Sequence, residues 1–319
     1  MNWKKLIFKT VAYGLVAIAV IYFIRELNRH LHEIPAINWT GMAIFAVVAS
    51  ILITAVNTAT IAINWRLLLK DQDVHVDYLH VWQMVAIAQI GKYMPGNVGH
   101  FAGRGVLGKE QGVPLGVTMA TTSIETLWNL IVGMGLTLLA LAMGVSGFGE
   151  IFQDSVFQTE MLVALLVVSV ISPTIGILFA NRFLPGLSKK LGGGNLLNPP
   201  KITTSIAVGG FILFNLIILG WALKLQAEYL FNAPGGTAFQ FMLLFSVAWI
   251  VGYVVPGSPG GMGVREAMMV ALFTPIIGAG PTLGISVTMR VTSIMGDGLA
   301  FLLGMLSRKL SPPPFIQHR

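Results

Sequence analysis

Cysteine is absent from all 319 residues. That excludes disulfide bridges, thiol catalysis and thiolate metal sites, and it leaves the compartment open. Charge is scarce as well. Only 10% of the residues are Asp, Glu, Lys or Arg, against 55% hydrophobic, and the mean hydropathy is +0.78. So little polar surface cannot cover a water-soluble globule, so lipid must be the solvent for most of the chain. No Walker-type phosphate loop, no Ser-His-Asp order and no long polar stretch fit to form a soluble domain appears, so neither ATP-driven work nor hydrolysis is supported.

What is present is length of apolar run. Spans of about twenty residues, enough for a helix to cross a hydrocarbon core of roughly 30 Å, lie near Leu6 to Ile24, Trp39 to Ala62, Pro114 to Gly144, Thr159 to Ala180, Ile202 to Leu223 and Pro281 to Leu306. The first follows Lys4 and Lys5 without a small-residue cleavage pattern before Arg25, and it reads as a retained span. Two more apolar segments, Val81 to Gly112 and Thr237 to Gly280, are interrupted by Pro and Gly clusters and so read as helix, break, helix.

The formal charge of +7 is not a nucleic-acid footprint, because the basic residues fall mainly between apolar runs, where they act as orientation signals. Lys4, Lys5 and Lys9, then Arg66 and Lys70, then Arg182, Lys189, Lys190 and Lys201, and finally Arg308, Lys309 and Arg319 fall on one side; Arg25, Arg29 and Lys224 fall on the other. Cytoplasmic loops hold the excess, so both termini are expected in the cytoplasm of a multi-pass protein of the cell (inner) membrane. The assignment holds if each broken segment is a re-entrant hairpin that enters and leaves on one side. Full crossings would split Arg66 and Lys70 from Lys109 and bring Glu150 and Asp154 inside.

The two breaks resemble each other. GKYMPGNVGHFAGR at Gly91 to Arg104 and GYVVPGSPGGMGVR at Gly252 to Arg265 share Gly, Pro, Gly, Gly and Arg at a constant offset of 161 residues (256 − 95). That interval is about half the chain, so a duplication is expected, with halves over residues 1–150 and 151–319. Each half holds two spans, a hairpin and a third span, and an odd number of crossings inverts the second copy. The fold class is therefore an all-α integral membrane protein, an inverted repeat with about six full spans and two re-entrant hairpins.

Charges inside apolar segments cost about 2.5 to 3.5 kcal/mol each on the insertion scale, and six demand a reason: Arg104, Glu125, Arg265, Glu266, Arg290 and Asp297. Glu125 lies eleven residues past Pro114 and Arg290 nine past Pro281, deep within their spans. After each break, the second half-helix should present free backbone N–H groups and the positive end of its dipole. Two such ends meeting near the midplane form an anion site suited to phosphate. The candidate substrate-binding set is Arg104, Arg265, Pro95, Gly96, Gly99, Pro256, Gly257, Gly260, Glu125, Glu266, Arg290 and Asp297. The competing reading is that these charges only pair with one another and pin the fold. The two are compatible, since an entering phosphate can displace an acid, which would then take up a proton.

Other polar features are blander. Asp71, Asp73, His75, Asp77 and His80 contain metal-ligand types but read as a solvated interfacial segment. Lys224 and Glu228 form an i,i+4 pair at a span end, and His100 reads as a satisfied polar residue in the first break. No catalytic residue, metal or cofactor is indicated.

The stretches GKYMPGNVGHFAGRGVLGKEQGV and PGSPGGMGVREAMMVALF, with Glu125 and Arg290 in the following spans, resemble the flippase-like transmembrane domain of bacterial lysylphosphatidylglycerol synthases and its stand-alone relatives. The resemblance implies translocation of an aminoacylated phospholipid or a polyprenyl-phosphate-linked molecule between leaflets. These residues hold no counterpart of the soluble aminoacyl-transferase domain of the synthases, so lipid synthesis is not implied. The chain departs from the family after Glu125, with Thr126 and Asn129 where Arg and Asp are usual. The expected partners are an anionic lipid substrate and the membrane, with a homodimer left open. An ion-coupled carrier of a small soluble anion and a membrane-embedded lipid transferase are the alternatives.

Overall fold

The computed structural model of the chain describes residues 39–94, 99–145, 159–255 and 259–312, with isolated positions between 21 and 37. Every regular element among the described residues is helical. In chain order they are α1 (Gly41–Asp71), α2 (Tyr78–Gln89), α3 (Gly99–Glu110), α4 (Leu115–Ala142), α5 (Thr159–Phe183), α6 (Pro185–Leu191), α7 (Ile202–Phe231), α8 (Ala238–Val254), α9 (Val264–Ile277) and α10 (Ala279–Leu310). Short 3-10 turns occupy Ile90–Tyr93 and Pro259–Gly261, at the two breaks.

Four expected spans coincide with α1, α4, α7 and α10, which have 28 to 32 residues and are apolar enough to cross a membrane. The span expected over Thr159 to Ala180 is α5, whose stretch Val170–Phe183 passes the same test together with α6 across a bend of 119°. The first expected span, Leu6 to Ile24, lies almost wholly outside the described residues. Burial runs opposite to that of a soluble protein. On α1, Met42, Ile44, Phe45, Val48, Leu52 and Val56 face outward, whereas Ser50, Thr54, Thr58 and Asn64 are buried. Apolar outside and hydroxyl or amide inside is the arrangement that lipid favours, because polar groups then find partners only within the bundle.

Four helices recur in order at a nearly constant interval. From α1 to α7 the start advances by 161 residues (202 − 41), from α2 to α8 by 160 (238 − 78), from α3 to α9 by 165 (264 − 99) and from α4 to α10 by 164 (279 − 115). Packing repeats with it: α1 contacts α2 as α7 contacts α8, α2 lies on α10 as α8 lies on α4, and α3 lies on α4 as α9 lies on α10. The late start of α9 has a local cause. Gly260, Gly261 and Gly263 have φ of 56°, 74° and 82°, outside the helical range, whereas their equivalents Gly99, His100 and Ala102 are already in α3.

The equivalent helices α1 and α7 pair with each other. The Thr60 hydroxyl donates to Asn215 Oδ1 at 2.9 Å, and Gln226 Nε2 donates to Ser50 Oγ at 2.8 Å. As one chain advances the other recedes, so the pair is antiparallel. Glycine permits the closest crossings. A Cβ on Gly296 of α10 would lie 2.5 Å from Thr54 Cβ and 2.6 Å from the Ile51 carbonyl oxygen of α1.

In each broken segment the two arms double back. At the first break, a Cβ on Gly91 would lie 2.4 Å from the Gly99 carbonyl carbon, so the backbones touch. The outer ends of this segment both reach the carboxyl end of α10. Gln83 of α2 donates to Ser307 Oγ at 3.0 Å, and Glu110 of α3 pairs with Arg308. In the second segment, the residues before α8 meet the end of α9, where a Cβ on Gly235 would lie 2.6 Å from the Ile276 carbonyl oxygen. The first end also gathers the close of α1 and the start of α7, where the Asp71 carboxylate accepts from the Lys201 backbone N–H at 3.0 Å.

Candidate anion-binding site

Between the doubled-back segments lies a cavity of about 200 Å³, lined by residues of both halves. It opens at mid-length of the α1 and α7 pair, where Asn57, Asn64 and Asn215 face it. The two 3-10 turns approach each other beside it: a Cβ on Gly260 would lie 3.7 Å from the Lys92 carbonyl oxygen and 3.8 Å from the Tyr93 ring.

Of the residues expected in the site, Arg104, Glu125, Gly260, Arg265 and Arg290 line this cavity. Glu266 and Asp297 stand behind lining cations. Gly99 serves the close approach to Gly91 and does not line it. Pro95, Gly96, Pro256 and Gly257 lie outside the described residues.

Each acid is committed. Arg104 Nη1 donates to Glu125 Oε2 at 2.6 Å, with both side chains less than a tenth exposed, and its guanidinium lies 5.2 Å from the Trp65 ring. This pair ties α3 to α4. Arg290 Nε donates to Glu266 Oε1 at 2.8 Å, Nη2 also bonds that oxygen, and Nη1 donates to the Gly260 carbonyl at 3.0 Å. Glu266 Oε2 accepts the Gly263 backbone N–H at 2.7 Å. The carboxylate therefore already occupies part of the helix start that was expected to be free for ligand, because Glu266 sits in the first turn of α9, where an acid is favoured. Asp297 Oδ2 binds Lys92 Nζ at 2.6 Å and accepts from the Tyr93 hydroxyl. Arg290 and Asp297, two turns apart on α10, thus hold one 3-10 turn each.

Arg265 differs. Its nearest acid atom, Glu266 Oε1, is 3.7 Å away and already bonded by Arg290. Among the described residues its guanidinium makes no hydrogen bond, its buried Nε has no partner, and it lies 5.7 Å from the Phe245 ring. Buried Arg104 Nε, Asp297 Oδ1 and His100 Nδ1 also lack hydrogen-bond partners among the described residues. Among the described residues, four cations, Lys92, Arg104, Arg265 and Arg290, thus stand against three acids, Glu125, Glu266 and Asp297. The surplus is one positive charge in a desolvated place, where attraction for an anion is strongest.

Sequence reasoning overlooked Lys92, Tyr93 and the asparagines. Lys92 stands beside the Pro-Gly pair in an apolar segment. Asn57 and Asn64 are seven apart in α1, two helical turns, and so share a face. His100 lines the cavity. Thr126 and Asn129 line it too: Thr126 Oγ1 accepts from the Tyr253 hydroxyl at 3.4 Å, and Asn129 Nδ2 donates to the Glu125 carbonyl at 2.9 Å. Lys224 pairs with Glu228 at 3.5 Å, as expected. Asp71 and Asp73 hold the connection before α7, with Asp73 accepting from Asn198 Nδ2 at 3.2 Å.

A family model described as lysylphosphatidylglycerol synthase TM region matches residues 10–299. No curated protein matches the chain.

Proposed function

The chain belongs to the lysylphosphatidylglycerol synthase TM-region family, and from that premise we propose that it carries an anionic, phosphate-containing lipid between the leaflets of the cell membrane without altering it chemically. The observation that carries the reading is Arg265: a largely buried cation that makes no hydrogen bond among the described residues, on a cavity wall where Lys92, Arg104 and Arg290 each have their own acid. A phosphate oxygen supplies the acceptor it lacks. The candidate lipids are an aminoacylated phospholipid and a polyprenyl-phosphate-linked molecule, whose apolar chains stay in the bilayer while the headgroup occupies the cavity.

Alternating access follows from an inverted repeat. In favour stand the antiparallel pairing of α1 with α7 and the repeated order of elements. The helical pairs at the breaks act as re-entrant hairpins, one from each face, and both termini lie in the cytoplasm. The gathering of Lys70, Lys190, Lys201 and Arg308 at the ends of α1, α6, α7 and α10 supports that orientation. Inward or outward opening would exchange the contact between the two turns for an opening to one leaflet.

The test is translocation of fluorescent lipids in proteoliposomes containing the full chain. Anionic lipid should cross faster than in protein-free vesicles, and Arg265→Gln should remove most of that excess. Flux of a soluble phosphate without lipid movement would favour a soluble-anion carrier, and a chemically altered lipid would favour a transferase.

A further inference from the structure

The charges around the cavity bear on which phosphate it accepts. Lys92 and Asp297, Arg104 and Glu125, and Arg290 and Glu266 form three pairs at hydrogen-bonding distance. Arg265 remains, 3.7 Å from a carboxylate oxygen already engaged by Arg290. The pairs come from different elements: α10 with the first 3-10 turn, α4 with α3, and α10 with α9. No single helix movement releases all three cations together. The ligand therefore meets one uncompensated positive charge.

We propose that the cavity selects its lipid by phosphate valence, accepting a singly charged phosphodiester against Arg265 and discriminating against a doubly charged phosphomonoester. This deepens the function proposed above and rests on it. A phosphodiester neutralises the surplus. A phosphomonoester at pH 8, well above its second ionisation near pH 6, brings a second negative charge that must stay unpaired, pull a cation from its acid, or be removed by protonation. Each route costs binding energy in a water-poor site. A phosphodiester also leaves only two unesterified oxygens, matching the paired donors that a guanidinium presents.

Glu125 sets the valence on one wall. It lines the cavity, whereas Glu266 and Asp297 lie behind their cations. Glu125→Gln would raise the surplus from one to two. Because that change also breaks the pair with Arg104, Asn129→Lys provides an independent route. Asn129 lines the cavity one helical turn from Glu125 and takes part in none of the three ion pairs.

The experiment measures binding of phosphatidylglycerol and phosphatidic acid, with matched acyl chains, to the purified full chain in nanodiscs at pH 8. Wild type is expected to prefer phosphatidylglycerol by at least about tenfold, the factor that corresponds to about 1.4 kcal/mol. Asn129→Lys, and Glu125→Gln where it folds, should shrink or invert that ratio, while Arg265→Gln should weaken both lipids. Equal or tighter binding of phosphatidic acid by wild type overturns valence selection and leaves lipid translocation standing. An unchanged ratio in folded Asn129→Lys also overturns it. Failure of both lipids to bind wild type removes the functional reading and this inference together.

Discussion

The Arg104 and Glu125 pair offers a quantitative test of how α3 is held against α4. The charged atoms are 2.6 Å apart, with side-chain exposures of 4% and 8%, so either single replacement leaves a charge with little access to bulk water. Arg104→Met strands a carboxylate and Glu125→Gln strands a guanidinium, and breaking a buried pair from one side costs about 3 to 5 kcal/mol. The double replacement strands nothing and should cost about 1 kcal/mol or less. The implied coupling, both single costs less the double, is about 5 kcal/mol or more; it exceeds the about 4 kcal/mol for unit charges 4 Å apart at an effective dielectric constant near 20 because each single variant also leaves a charge unpaired. The assay is a double-mutant cycle of denaturant unfolding in mild detergent, followed by loss of helical circular dichroism. Single costs that simply add to the double within about 0.5 kcal/mol would refute a direct pair. The same proteins separate pinning from binding: stability returns in the double variant, but lipid flux should stay low if Arg104 also serves the headgroup.

Since the chain has no cysteine, introduced thiols report without background. Thr60→Cys with Asn215→Cys should be joined by a short bifunctional thiol reagent, whereas Thr60→Cys with Gln226→Cys should not, and the reverse outcome would contradict the antiparallel crossing of α1 and α7. Gly296→Val should force α10 away from α1, because even a Cβ there meets backbone oxygen at 2.6 Å. A loss of about 1 to 3 kcal/mol in detergent is expected, and an unchanged unfolding midpoint would show that the contact is loose.

Much of the architecture was legible in one dimension because lipid is an unselective solvent that rewards uninterrupted apolar length. The runs over Trp39 to Ala62, Pro114 to Gly144, Ile202 to Leu223 and Pro281 to Leu306 all became long helices, and the structure extends the first and third beyond the apolar run. Their ends continue with polar residues such as Asn64, Arg66, Lys224 and Gln226, which hydrogen-bonding partners and interfaces accommodate but hydropathy counts against. The Pro-Gly breaks were equally plain, since no helix runs through such clusters. The constant interval between Pro95 and Pro256 anticipated the spacing at which whole helices recur. Arg104, Glu125, Arg265 and Arg290 could be picked out because a charge in an apolar run is costly enough to need a purpose.

Who partners whom could not be read in that way. Asp297 binds Lys92 and Tyr93 across more than 200 residues of chain, and Glu266 turns from its neighbour Arg265 to Arg290. Both choices depend on how helices cross, and that depends on where glycines such as Gly296 let backbones meet. The late start of α9 depends on three glycines leaving helical geometry together, which a sequence permits but does not require. The sequence by itself determined the solvent, the long helices, the breaks and the interval at which helices recur, because those follow from local composition and spacing. Only the tertiary structure decided that three acids are spent on three cations and that the fourth, Arg265, is left facing the cavity, because charge balance in a buried site is a property of distances.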